Sequence, residues 1–236
     1  MGHVERARQI PLELPVRPAR GRGDFFVAEA NAMAVGGIDT WRTWPGSKFA
    51  IVGPEASGKT HLAHVWARDS GARIVPATDL AGAEIPDLCD APVCVEDVDA
   101  IAGEAAGEAA LFHLHNLVLS EGHALLLTAA APPAQLGIAL PDLASRLMGT
   151  PFARLGPPDD ILLTAVLAKL FADRQIVPAP SLIPYLVPRM GRSFGMAQRL
   201  VAEIDRTSLA RARPVSLRIA RECLARLEAE DDDNGE

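Results

Sequence analysis

Residues 53–60, Gly-Pro-Glu-Ala-Ser-Gly-Lys-Thr, set two glycines, a lysine and a hydroxyl in the spacing G-x-x-x-x-G-K-[ST]. Gly53 and Gly58 permit a tight turn, and the intervening Pro54, Glu55, Ala56 and Ser57 then turn successive backbone N–H groups toward one spot. A helix opening at Lys59 adds the positive end of its dipole there. That chemistry suits a polyphosphate, with Lys59 reaching the β- and γ-phosphates and the Thr60 hydroxyl binding Mg²⁺. A second Mg²⁺ handle is expected, an acid at the tip of a neighbouring strand. In Val-Cys-Val-Glu-Asp-Val-Asp, Glu96 and Asp97 directly follow the apolar run and are the candidates, whereas Asp99 lies beyond the strand and reads as a cap on the next segment. Thr128 ends the apolar run ALLLT; its hydroxyl either sits near the γ-phosphate or is satisfied by its own strand neighbours, two readings of equal weight. The histidines hold no metal-ligand spacing: His61 and His64 share one helix face, and His113 and His115 cannot.

The elements around these residues follow from apolar periodicity. Compact apolar runs at 48–53 and 123–129 predict buried strands, 72–77 and 91–97 two more strands, and 151–155 a short one. Helical spacing comes after the glycine loop and recurs over 108–122; the segment 24–35 suits a short helix or a stretch packed on the site. Strands alternating with helices predict a parallel sheet with helices on both faces, an α/β fold. Beyond residue 156 the pattern changes. Asp159 or Asp160 caps a helix, further helical stretches succeed it, and no strand pattern remains. The expected organisation is a leading peptide and linker over 1–23, an α/β domain over 24–156, an all-helical domain over 157–228, and an acidic disordered tail over 229–236.

At 236 residues and 49% hydrophobic, the chain can bury a core plus a small accessory domain. A net charge of −7 opposes a large DNA-wrapping surface. Three cysteines without metal spacing suit buried thiols in a reducing cytoplasm. Residues 1–24 are basic and lack the apolar core of a secretory signal, and no run is long and apolar enough to span a bilayer. The expected location is cytoplasmic, without membrane contact. Ahead of the first domain, RQIPLELPVR places Ile10, Leu12 and Leu14 between prolines and arginines, too interrupted for a helix, and PARGRG after it reads as a flexible tether.

Taken in order, these motifs resemble the AAA+ ATPases of the DnaA family of bacterial replication initiators. GPEASGKTHL resembles that family's phosphate loop, including the trailing His61 and Leu62. DFFVAEANAMA resembles its adenine-side segment, which assigns Val27 and Asn31 to the nucleotide. LLLTAAAPPAQL resembles the sensor-one strand that ends at Thr128. PDLASRL, 141–147, resembles the box that carries an arginine finger, which assigns that role to Arg146 with Arg154 as runner-up. The resemblance implies an AAA+ phosphate-loop NTPase fold with a helical lid, ADP or ATP with Mg²⁺ as cofactors, Thr60 and Glu96 at the metal, and Asp97, Thr128 and Arg146 as catalytic groups, the last acting in trans.

Several departures refine it. Glu96-Asp97 stands where the family usually has Asp-Asp. The sensor-two arginine of active relatives falls at Gly195 or Met196, with Arg192 and Arg199 close by; either of these substitutes or the role is lost, and Arg192 is assigned to the nucleotide. Nucleotide binding with weak intrinsic hydrolysis is therefore expected. The chain ends after the helical lid, with no helix-turn-helix domain for DNA. QIPLEL, 9–14, resembles the sliding-clamp peptide of the Hda branch of the family, through Gln9, Ile10, Leu12 and Leu14, with Glu13 in place of the usual proline. That resemblance implies three things: binding to the DNA polymerase III sliding clamp (its beta subunit), stimulation of hydrolysis of ATP bound to DnaA, and contact with DNA only through the clamp. A homo-oligomer also fits. A helicase loader of the DnaC type is the alternative, and it would not need QIPLEL; a small-molecule kinase fits the helical second domain poorly.

Overall fold

The computed structural model describes Val27 and residues 31–233, so Gln9, Ile10, Leu12 and Leu14 lie outside the described residues. Five strands form one parallel sheet: β1 (Lys48–Val52), β2 (Arg73–Pro76), β3 (Val93–Glu96), β4 (Leu125–Ala129) and β5 (Phe152–Arg154), in the order β2-β3-β4-β1-β5. The apolar runs of β1, β3 and β4 become strands because both faces of the sheet are covered at its centre, whereas the edge strands β2 and β5 are only partly buried. Alternation of side chains then sorts each run between two clusters. Val93, Val95, Leu125 and Leu127 enter one, with Leu111, Leu114 and Leu143. Cys94 and Leu126 enter the other, with Ile51, Leu62 and Trp66. Register pairs Ile51 with Thr128 and Val52 with Ala129, so the exits of β1 and β4 lie side by side.

The covering helices are α1 (Ala32–Asp39), α2 (Lys59–Ser70), α3 (Ile85–Leu88), α4 (Ala105–Ser120) and α5 (Pro141–Met148). After Arg154 the described regular elements are all helical: α6 (Asp160–Asp173), α7 (Leu182–Leu186), α8 (Phe194–Ala210) and α9 (Leu217–Asp233). They enclose a third apolar cluster around Leu167, Phe171, Leu200, Ile204 and Cys223. Of the two candidate caps for α6, Asp159 does it, its carboxylate accepting from the Leu162 N–H at 2.7 Å.

Two boundaries differ from expectation. The helix expected within 24–35 starts at Ala32 and runs on to Asp39, through Gly36 and Gly37. Gly37 is required there, because a Cβ would meet the Phe49 ring at 2.5 Å. The acidic tail does not begin as disordered chain at 229: α9 continues to Asp233. Leu227 packs into the helical core and Glu230 pairs with Arg199 at 3.8 Å, which carries the helix outward. Cys89, Cys94 and Cys223 are buried free thiols, and burial pushes the Cys94 thiol well up. Among the described residues no helix is long and apolar enough to cross a membrane.

Candidate nucleotide site

The glycine loop leaves β1 and enters α2 through a backbone that few side chains permit. The Gly53 N–H donates to the Ala129 carbonyl at 3.1 Å, tying the loop to the tip of β4. A Cβ on Gly53 would stand 2.5 Å from the Leu155 carbonyl oxygen, and Gly58 has φ +99°. Ala56 is also left-handed, at φ +55°. These turns curl the loop around its own centre. Lys59 is buried, and its ammonium donates to the Gly53 and Pro54 carbonyls at 2.9 and 3.0 Å. Pro54, Glu55, Ala56 and Thr60 are exposed along the loop.

Two polar atoms here are buried without a partner, the Ser57 hydroxyl and the Glu96 Oε1. Each such group costs folding about 1–3 kcal/mol unless something binds it. A hydroxyl inside the loop and a carboxylate oxygen at the end of β3 fit a polyphosphate with a hydrated cation. Among the described residues no group of three His, Cys, Asp or Glu side chains stands ready to hold a metal alone. Of the paired readings for Thr128, the structure shows its fully buried hydroxyl accepting from the Asp97 N–H at 3.0 Å. Thr128 thus holds the left-handed Asp97, φ +53°, beside the strand tips, and keeps its own hydrogen to donate. Asp99 does not cap the next segment: it lies inside the short turn Val98–Ile101, and its carboxylate accepts from the Ala130 N–H at 2.7 Å, tying that turn to the exit of β4.

Beside the loop opens a cavity of about 240 Å³. Asn31, Ser57, Gly58 and His61 form its loop side; Leu155, Leu162, Val166, Leu170 and Phe194 give it apolar walls. The helical region closes over the loop through α8. The Phe194 N–H donates to the Ala56 carbonyl at 3.2 Å, and a Cβ on Gly58 would meet the Phe194 ring at 2.8 Å. Gly195 comes next, its Cβ position 3.5 Å from the Ala56 methyl. The walls from α6 have one signal in the sequence, the apolar run ILLTAVLAKL, and Phe194 has none.

The other assigned residues lie away from the cavity. Val27 packs beside the cluster around Trp66 and does not line it. Arg192 is not brought to the cavity: it pairs with Asp160 at 2.7 Å on the surface, because the turn before α8 faces the first turn of α6. Arg146 is exposed in the last turn of α5, its guanidinium 5.3 Å from the Phe112 ring centre. Arg154 lies 5.9 Å from the Phe152 ring on the sheet edge.

No family model matches the chain. Solved structures do. Domain III of the Thermotoga maritima replication initiation protein DnaA matches with a TM-score of 0.73 over 90% of this chain and 98% of that one, at 16% identity. The fold is the AAA+ fold of DnaA domain III. AMPPCP-bound DnaA from Aquifex aeolicus matches at 0.65, covering 89% of this chain and 68% of that one at 19% identity. The FIGL-1 AAA domain in complex with ADP matches at 0.63 over 88% and 84%, at 14% identity. In this fold the loop after β1 is tied to the tip of β4 through Gly53 and to the start of α8 through Ala56, the tip of β4 holds the tip of β3 through Thr128 and Asp97, and Ser57, one of the two residues with an unpartnered polar atom, lines the cavity.

Proposed function

We propose that this protein binds an adenine nucleotide and acts in the control of replication initiation, as a sliding-clamp-bound partner that stimulates hydrolysis of ATP held by DnaA. The observation that carries the nucleotide reading is the apolar cavity opening onto the glycine loop at Ser57 and Gly58. Gly53, Gly58 and the backbone between them would cradle the phosphates, with Lys59 supplying the charge and His61, Asn31 and Phe194 bordering the nucleoside. Thr60 and Glu96 would hold Mg²⁺, which supplies charge neutralisation between phosphate oxygens. Asp97, oriented by Thr128, is placed to hold a water at the strand tips. The start of α8 offers Gly195 and the Phe194 ring where a cation would favour a γ-phosphate, which supports slow hydrolysis by the protein alone and an ADP-bound working state, and Lys169 of α6 is the cation that the helical region brings to the cavity.

Arg146 supports the regulatory half. It is exposed at the end of α5 and lies outside the cavity that its own chain forms. A guanidinium so placed acts on a neighbour, neutralising charge that develops on the γ-phosphoryl oxygens; its planar fork stays charged and grips two of them. Fingers of this kind contribute about 10³–10⁵ in rate. The test is Arg146→Ala in single-turnover hydrolysis by ATP-bound DnaA with clamp loaded on DNA. We expect stimulation to be nearly abolished while ADP binding and clamp binding persist. Stimulation equal to wild type would remove Arg146 from the reaction. Binding to a replicative helicase in place of the clamp would favour the loader reading.

A further inference from the structure

We propose that Lys48 and Glu108 are positioning residues for Arg146, bracing the two ends of α5 so that its last turn presents the guanidinium in one place. This rests on the reading of Arg146 as the group that reaches a neighbour's nucleotide. Helix α5 is only eight residues long, and Leu140 offers it no side-chain cap. A helix of that length is marginal by itself, with unpaired N–H groups at one end and unpaired carbonyls at the other. The structure supplies both partners from elsewhere in the fold.

At the entry, Glu108 of α4 is almost wholly buried. Its Oε1 accepts from the Gly103 and Ala139 N–H groups at 2.7 and 2.9 Å, and its Oε2 from the Leu140 N–H at 2.6 Å. Burial works against its charge, yet the Ala139, Gly103 and Leu140 donors together hold the carboxyl below its ordinary range. The loop feeding α5 is thus fastened to α4 by two charge-assisted bonds. At the exit, the Lys48 ammonium donates to the Arg146 carbonyl at 2.7 Å, and the Thr150 hydroxyl donates to the same oxygen at 3.3 Å. Lys48 opens β1, the strand that ends at the glycine loop, so this bond ties the last turn of α5 to a strand inside the sheet. A cation at a helix C-terminus also complements the dipole. His115 of α4, buried, stands 3.4 Å from the same ammonium. Lys48 and Arg146 are like charges, and the guanidinium lies over the Phe112 ring of α4, 5.3 Å from its centre. The backbone of Arg146 is therefore anchored to β1 and its side chain to α4, so both parts of the residue have a fixed reference.

The test uses Lys48→Met, which keeps the length of the side chain and removes the donor, in the full chain. Without any partner present, amide exchange across 146–150 should rise about tenfold, the loss of one charge-assisted bond, while ADP binding stays at the wild-type value. With ATP-bound DnaA and DNA-loaded clamp, the maximal stimulated rate should fall about tenfold or more, with the concentration for half-maximal stimulation unchanged. Lys48→Arg keeps a cationic donor and should retain most of the exchange protection and rate. Unchanged exchange in Lys48→Met, or raised exchange with an undiminished rate, overturns the proposal. Loss of protection in Lys48→Arg as well would assign the effect to packing and overturn it too. Arg146→Ala is the parallel control: wild-type stimulation by that variant defeats the role of Arg146 itself, whatever exchange in the Lys48 variants shows.

Discussion

Protonation of His115 should loosen the α4–α5 corner in mild acid. The ring is buried against Lys48 and near Arg146, and burial first, then the Lys48 and Arg146 charges, pull its pKa down from 6.5 to about 4. In the unfolded chain the ring protonates near 6.5, so between those two values the unfolded state binds the extra proton and folding loses stability as pH falls. The contribution is fully present above about 6.5 and is lost progressively toward 4. At pH 5 the loss relative to pH 7 comes to about 2 kcal/mol. Glu108 does not share this window, because its carboxyl is held below the ordinary carboxylate range and its stabilisation fades only under more acid conditions. His115→Gln keeps an acceptor and removes the titration. Urea unfolding of both proteins at pH 7 and pH 5 measures the effect, and the wild type should lose about 2 kcal/mol more than the variant between the two. An equal loss in both would refute the assignment of acid sensitivity to this ring.

Three further outcomes are expected. Lys59→Ala removes the cation inside the loop and should abolish most ADP affinity in calorimetry; equal affinity would separate the loop from nucleotide binding. Gly58→Ala forces a Cβ to φ +99° and into the Phe194 ring at 2.8 Å. It should weaken ADP binding about tenfold or more, and wild-type binding would show that the lid yields without consequence. Leu12→Ala with Leu14→Ala should weaken binding to the sliding clamp more than tenfold in a solution assay and leave the thermal midpoint of the body unchanged, since each buried leucine contributes about 1.5–3 kcal/mol before ordering costs.

The sheet was legible because its central strands are buried on both faces, so KFAIVG, PVCVE and HALLLTA stand out as unbroken apolar runs before turn residues. The loop was legible because its chemistry is local: eight consecutive residues carry the turn, the cation and the hydroxyl. The hidden features depend on pairs distant in sequence. Nothing near Lys48 signals that it meets Arg146 and His115, and nothing near Glu108 signals three backbone donors from two loops. Arg192 looked available for phosphate because its partner in the first turn of α6, Asp160, lies far back in the chain. The apolar walls of the cavity were hidden for a different reason. Leu162, Val166 and Leu170 have the spacing of any core-facing helix, and only tertiary packing turns that face toward Gly58.

The hydrogen bond between the Phe194 N–H and the Ala56 carbonyl couples the glycine loop to a helix that is itself built into the helical core. The helix runs 17 residues from that bond, and Leu209, 74% exposed, sits near its far end, about 22 Å away at the usual rise per residue. A swing of about 5° at the loop carries Leu209 through about 2 Å. Because Leu200, Val201 and Ile204 fix α8 in the helical core, such a tilt at the loop would carry the helical region with it as a body.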